Sequence, residues 1–357
     1  MQTRLNQFLM EFLRIPSEIT REKEFCDHLE NRFKNNAPYL ESYRLNHNLV
    51  LRTSPRPQNP TLGWFGHIDT VVAQEDQPPH ETEDFIHGCG SSDMKSGLAV
   101  MTALLEDREL IEKTPINFVF VFYEQEEGDY EQNGLQPVLE KYAWLQEIEL
   151  AFALEPTNNT VQNGCVGGLH ARLNFQGKRA HSARPWEGEN AIHKAGQMLV
   201  ELGKKERIPV EFKGLTFYEV INATLAQGGQ VRNAIPDTFM LNLNYRFAPG
   251  KDIPAAKQEV LDFVANRASV EFIDESPSGP CYTDNPWLQK FLEKTGLPQV
   301  AKQAWTDVAR LALFEIPAVN FGPGDTKQAH QRNEIIAKAA LHKNYEYFVQ
   351  FLKSLQT

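Results

Sequence analysis

The chain has 357 residues, 41% of them hydrophobic and 23% charged, the balance of an ordinary globular protein, and at about 150 residues per domain it holds two domains or one with a large insertion. Its formal charge of −11 disfavours binding to nucleic acid or an anionic membrane surface, which needs clustered Lys and Arg, and no apolar run approaches the roughly 20 residues that span a bilayer. Cys26, Cys89, Cys165 and Cys281 are scattered without C-x-x-C spacing, which argues against a zinc ribbon or a disulfide framework and for a reduced, cytoplasmic chain.

Leu5, Phe8, Leu9, Phe12 and Leu13 fall at helical spacing before Pro16, so the chain opens on an amphipathic helix rather than a secretory signal. Phe25, Leu29 and Phe33 mark a second helix, residues 39–52 shorten toward a period of two, and after a Pro-rich turn the strand Gly63-Trp64-Phe65-Gly66 runs into His67. Helices are predicted over 97–107 and 134–142, with buried strands over 116–123 and 149–154. This alternation implies an α/β catalytic domain, a mostly parallel sheet flanked by helices.

The pattern then changes, because residues 169–175 and 239–247 alternate apolar and polar positions, as antiparallel strands with one buried face do. With a helix over 189–202, a strand near 216–225, a helix over 253–264 and a strand at 270–273, the order is that of a small α+β ferredoxin-like unit. Residues 166–277 are therefore read as an inserted domain, and 1–165 with 278–357 as the domain it interrupts. A helix over 285–295, a strand over 317–321 and a last helix over 335–354 complete the chain.

Residues two apart in an extended chain share a face, so Asp69 can orient a His67 that ligates metal. The pair Glu126 and Glu127 and Glu155 follow predicted strands, Asp93 lies in Gly88-Cys89-Gly90-Ser91-Ser92-Asp93-Met94-Lys95, and His330 follows the turn Gly322-Pro323-Gly324-Asp325. In an open α/β sheet the strand ends are where ligands collect. Taken singly, an acid after a strand is more often a helix cap or a solvated loop residue; the joint order of these residues singles them out. Two histidines and three carboxylates suit a pair of Zn²⁺ ions, with Co²⁺ or Mn²⁺ able to substitute. One acid would bridge, and a further acid would stay unligated as general base. His28, His47, His80, His87, His170, His193 and His342 are read as ordinary histidines, and Gly88-Cys89-Gly90 lacks the remaining elements of a phosphate loop.

Through Gly66-His67-Ile68-Asp69-Thr70-Val71, Ser92-Asp93-Met94-Lys95, Glu126-Glu127-Gly128, Glu155-Pro156-Thr157 and Ala329-His330 with Glu334, the chain resembles the M20 metallopeptidase and deacylase family. The resemblance implies that Asp93 bridges two zinc ions, that His67 and Glu155 complete one site and Glu127 and His330 the other, that Asp69 orients His67, and that Glu126 is the general base. It also implies that the inserted domain is a lid used for homodimerisation, with His181 reaching the partner subunit's active site to stabilise the oxyanion. Arg184, Arg232, Asn233, Arg246, Gly322 and Gly324 are implied as substrate-binding residues.

Within the family the chain is similar to short-form succinyl-diaminopimelate desuccinylases, through His181-Ser182-Ala183-Arg184, Asn190-Ala191-Ile192-His193-Lys194-Ala195 and Ala304-Trp305-Thr306-Asp307-Val308-Ala309-Arg310. It departs from the commoner pattern at Ser96, Gln125 and Asn333, none an implied ligand. The implied reaction is hydrolysis of N-succinyl-L,L-diaminopimelate to succinate and L,L-diaminopimelate. Acetylornithine deacetylase and dipeptidase or carboxypeptidase are the alternatives within the family, and a non-enzymatic binding protein the alternative outside it. The complete ligand set together with Glu126 argues against the last.

Overall fold

The computed structural model describes residues 1–356, which separate into two compact units. The first comprises Met1–Gly164, Tyr282–Val300 and the chain from Thr306 onward; the second comprises Cys165–Cys281 with Ala301–Trp305. Residues 301–305 thus lie with the second unit, although the sequence pattern places them in the interrupted domain. The reason is local: Gln303 exchanges hydrogen bonds with the Tyr218 backbone, at 3.0 and 2.8 Å, and the Trp305 indole donates to the Pro277 carbonyl at 3.0 Å.

The first unit begins with helices α1 (Gln2–Leu13) and α2 (Lys23–Asn36), strands β1 (Glu41–Leu45), β2 (Asn48–Arg52) and β3 (Thr61–His67), and the short β4 (His80–Glu81) and β5 (Phe85–His87). Helices α3 (Lys95–Leu105) and α4 (Arg108–Lys113), strand β6 (Asn117–Tyr123), helix α5 (Leu135–Lys141) and strands β7 (Ile148–Pro156) and β8 (Val161–Asn163) follow. The second unit contributes β9 (Gly167–Gln176), β10 (Ala180–His181), α6 (Ala191–Leu202), β11 (Ile208–Phe212), β12 (Leu215–Gly228), β13 (Ala234–Ile235), β14 (Thr238–Phe247), α7 (Ile253–Val264) and β15 (Ser269–Ser276). The chain ends with α8 (Pro286–Thr295), β16 (Gln299–Ala301), α9 (Val308–Leu313), β17 (Ala318–Gly322), β18 (Ile335–Ala337) and α10 (Lys338–Ser354).

The main sheet has the order β1-β2-β6-β3-β7-β17-β8-β16. Its centre, β6-β3-β7-β17, is parallel, and β1, β2 and β8 pair antiparallel at its flanks. Every residue of β3, β6 and α3 is buried, which is why β6 reads as the unbroken run Phe118-Val119-Phe120-Val121-Phe122 instead of alternating. Because the four central strands are parallel, their C-terminal ends form one edge, and the loops that leave it carry the candidate ligands.

The second unit holds the antiparallel sheet β11-β12-β14-β9-β15. Strands β12-β14-β9-β15 with α6 and α7 make the expected ferredoxin-like arrangement, and β11 adds an edge strand. Leu169, Ala171, Leu173 and Phe175 of β9 pack with Ala195 and Met198 of α6 and Val260 and Val264 of α7; the opposite face is polar.

The last helix begins at Lys338, three residues later than the apolar spacing predicts. Ile335–Ala337 pairs antiparallel with Phe85–His87 instead, in keeping with the strand preference of two successive β-branched residues.

Candidate metal centre

His67 closes β3 with its side chain buried, Nε2 3.2 Å from Asp93 Oδ1 and 4.0 Å from Glu155 Oε1. On its other side Nδ1 lies 3.1 Å from the Asp69 carbonyl and 3.5 Å from Asp69 Oδ1, so Asp69 fixes the ring through its backbone as well as its acid. The Asp69 carboxylate also accepts the Glu126 and Glu127 amides, at 3.1 and 2.9 Å. One buried acid therefore orients the histidine and pins the neighbouring acidic pair. Glu127 in turn meets His330 Nε2 at 2.8 Å, with Asp93 Oδ2 3.8 Å from the same nitrogen.

Single donor atoms from His67, Asp93 and Glu155 all lie within 4.8 Å of one another, as do those from Asp93, Glu127 and His330. The two sets share Asp93. A third set of the same tightness joins His67, Glu126 and Glu127, which brings Glu126 alongside the other two. The structure thus gathers all five residues expected as ligands, together with Glu126 and Asp69.

The electrostatics fit a divalent cation. Burial, followed by the Glu155 charge, pushes the Glu126 carboxyl well above its usual range, and burial with the Asp93 charge raises Glu127. Both stand among further acids whose charges a bound cation would offset. His67 is driven down by burial, but its contacts with Asp69 and Asp93 outweigh this and hold it well above 6.5. The hydrogen bond to Glu127 raises His330 to about 9. Gln125 and His330 also have φ of 59° and 59°, left-handed conformations that cost about 1–3 kcal/mol outside glycine and collect at ligand-clamping loops.

One consequence concerns pH. His330 keeps its proton up to about pH 9 while it pairs with Glu127, whereas a metal-ligating imidazole must be neutral. Uptake of a divalent metal at pH 7.5 is therefore expected to release about one proton or more per chain, with affinity rising about tenfold per pH unit for each proton released. A zinc titration in weakly buffered indicator solution measures this, and uptake without acidification would contradict the His330 assignment.

Glu334 enters the sequence reading only as a motif neighbour, yet it is a principal brace of the site. It is buried, and its carboxylate accepts the Gly90, Ser92 and Asp93 amides at 2.8, 2.6 and 2.8 Å. The segment bearing His330 is thereby tied to the loop bearing Asp93. Burial pushes its carboxyl up to about 8 despite these donors. Glu334→Gln places an amide N–H opposite the Gly90 amide, so a loss of about 1–3 kcal/mol in denaturant unfolding is expected, together with weaker metal binding. Parental values of both would show that the brace is dispensable. Lys95 holds the same loop from behind: its buried ammonium donates to the Phe12 and Ile15 carbonyls at 3.1 and 2.7 Å, and burial lowers it to about 8.

Gly322 and Gly324, expected among the substrate contacts, stand at close backbone approaches. A Cβ on Gly322 would lie 2.2 Å from the Leu154 carbonyl oxygen, and one on Gly324 2.1 Å from that of Ser92. Their bareness lets the end of β17 close against the segments carrying Glu155 and Asp93.

The remaining predicted residues lie in the second unit. His181 pairs with Ala234 through β10 and β13, and the Ser182 amide donates to the Asn233 carbonyl at 2.9 Å, so His181, Arg184, Arg232 and Asn233 belong to two neighbouring segments. His181 Nδ1 accepts the Ala183 amide at 3.0 Å, which assigns the proton of the neutral ring to Nε2. Arg246 lies on the polar face of the sheet, where the missing Cβ of Gly168 leaves room for its guanidinium, 2.7 Å away.

Residues 63–354 match the profile of peptidase family M20/M25/M40. A succinyl-diaminopimelate desuccinylase of Corynebacterium glutamicum is 33% identical over 346 residues, covering 93% of each chain. A Mycobacterium tuberculosis protein provisionally given the same name is 37% identical over 321 residues and 90% of each chain. Among solved structures, the aminopeptidase PepT of Bacillus cereus superposes with a TM-score of 0.78 at 20% identity, covering 100% of this chain and 99% of its own. Fold and relatives together define a metal-dependent hydrolase of amide bonds. The chain belongs to peptidase family M20/M25/M40.

Proposed function

We propose that the chain hydrolyses N-succinyl-L,L-diaminopimelate to succinate and L,L-diaminopimelate with two Zn²⁺ per subunit, Co²⁺ or Mn²⁺ being able to substitute. The names of the relatives at 33% and 37% identity support the substrate. The observation that carries the chemistry is the pair of donor sets sharing Asp93 with Glu126 beside them.

His67, Asp93 and Glu155 would hold one ion and Asp93, Glu127 and His330 the other. When bound there, the metal supplies Lewis acidity to the centre. The residues of the chain do the rest. Glu126, with its amide fixed by Asp69, takes the proton of the attacking water and returns it to the departing amine. His181 offers its Nε2–H to the oxyanion, acting in the partner subunit's site. Arg184, Arg232 and Arg246 recognise carboxylates, with Asn233 beside them.

A homodimer through the second unit is supported by two features. Beyond its pairing with β11, the edge of β12 from Val220 to Gly228 has no strand partner among the described residues, and α6 exposes Ile192, Leu199 and Val200. A cytoplasmic location is supported by Cys26 and Cys89, which are free thiols. Among the described residues no helix is long and apolar enough to cross a membrane.

His181→Ala is expected to lower kcat by about 10²–10³-fold, the usual effect of losing one oxyanion donor, at unchanged metal content. Parental kcat would leave it an ordinary surface histidine. The substrate is tested by comparing N-succinyl-L,L-diaminopimelate with N-acetylornithine and a dipeptide at matched metal content. The succinyl substrate is expected to lead by at least about 100-fold in kcat/KM. Preference for either competitor would overturn the assignment within the family.

A further inference from the structure

Glu126 and Glu127 ride on an irregular loop between β6 and α5, and the loop has a definite neck. The Gly134 amide donates to the Glu124 carbonyl at 2.9 Å, and a Cβ on Gly134 would stand only 2.4 Å from Asn48 Oδ1. Asp69 pins one arm of this loop through the amides of residues 126 and 127. The other arm, residues 130–136, is held by a buried ion pair that the reaction itself does not use.

That pair is Asp307 and Arg310, 1% and 2% exposed, joined at 2.9 Å. The guanidinium spends its other two nitrogens on the loop, donating to the Tyr130 carbonyl at 2.7 Å and to Gln136 Oε1 at 3.0 Å, and it lies 4.0 Å from the centre of the Tyr130 ring. The second oxygen of Asp307 accepts Asn133 Nδ2 at 2.8 Å, while Asn133 Oδ1 accepts the Leu135 amide at 2.9 Å. Asp307 stands at the N-cap of α9 yet makes no side-chain capping bond. Asp107 and Asp252, at the same position of α4 and α7, do cap their helices. Asp307 has given up the ordinary duty of an N-cap aspartate to hold the loop.

We propose that Asp307 and Arg310 are positioning residues for Glu126. They set where the base stands by fixing the far arm of its loop, and the inference rests on the reading of Glu126 as the base. A guanidinium with three directed contacts defines position as an ammonium cannot, and misplacing a reacting group by about 1 Å costs on the order of 10²-fold in rate. Both Glu126 and Glu127 keep their amide bonds to Asp69, but the Glu127 carboxylate is also held by His330 at 2.8 Å, so its hold on metal should survive while the Glu126 side chain loses its position.

The test uses the zinc-loaded full chain carrying Asp307→Asn or Arg310→Lys, with Asn133→Ala as the gentler variant should either fail to fold. Expected are kcat lowered at least about tenfold, KM within about twofold, parental zinc content, and faster amide exchange over residues 125–133. Folded, metal-loaded variants with parental kcat would overturn the proposal, as would a fall in zinc content that accounts for the lost activity. The kinetics use whichever N-acyl amino acid the parent turns over, so a wrong substrate assignment leaves the test intact. Amide exchange reads the loop even if the parent turns over none of them, and unchanged exchange would likewise overturn the clamp.

Discussion

Replacing Glu126 with alanine is expected to lower kcat by roughly 10²–10⁴-fold, the worth of a positioned general base, while bound zinc stays at the parental level. The two halves of this expectation rest on different contacts. Glu126 belongs to neither of the donor sets that share Asp93, so its loss leaves both intact. Its backbone is held by Asp69 through the amide, so the loop does not depend on its side chain for shape. Hydrolysis at the parental rate with matched zinc would remove Glu126 from the base role. Loss of zinc in step with activity would make it a ligand, in keeping with its grouping with His67 and Glu127.

Asp93→Ala should be more damaging than loss of any other ligand. One of its oxygens lies 3.2 Å from His67 Nε2 and the other 3.8 Å from His330 Nε2, so a single truncation strips a donor from each set. Zinc content is expected to fall toward zero, and activity by at least about 10³-fold, since Lewis-acid stabilisation contributes several kcal/mol. Glu155→Ala touches only one set and should retain about one ion per chain. Elemental analysis of the two variants side by side checks the pattern, and equal zinc loss in both would show that Asp93 is not shared.

Much of the site was legible because its residues sit at the ends of strongly patterned strands. The apolar runs before His67, Glu126 and Glu155 are unambiguous, and a parallel sheet necessarily brings such ends to one edge. The braces were harder to see. Glu334 and Asp307 are acids near turns, a pattern that surface loops share, and only the folded chain shows each buried and accepting hydrogen bonds from a distant segment. Gly322 and Gly324 show a related ambiguity: a glycine beside a ligand loop reads equally as ligand contact or close packing, and the carbonyls of Leu154 and Ser92 show the packing half of that pair. The start of α10 differs from the apolar pattern because Ile335 and Ile336 continue a helical stripe in sequence, while β5 offers them a strand partner. Tyr218 captures residues 301–305 from 85 positions away, a pairing no local pattern reveals.

The most direct measurement is stepwise zinc reconstitution of the chelator-stripped protein, with bound metal and hydrolysis of N-succinyl-L,L-diaminopimelate followed together. Activity should be absent from the stripped protein and return as zinc fills the sites, reaching its plateau at about two ions per chain. Hydrolysis that persists in the rigorously stripped protein, or a plateau in metal and activity at about one ion, would contradict a centre built from two donor sets joined by Asp93.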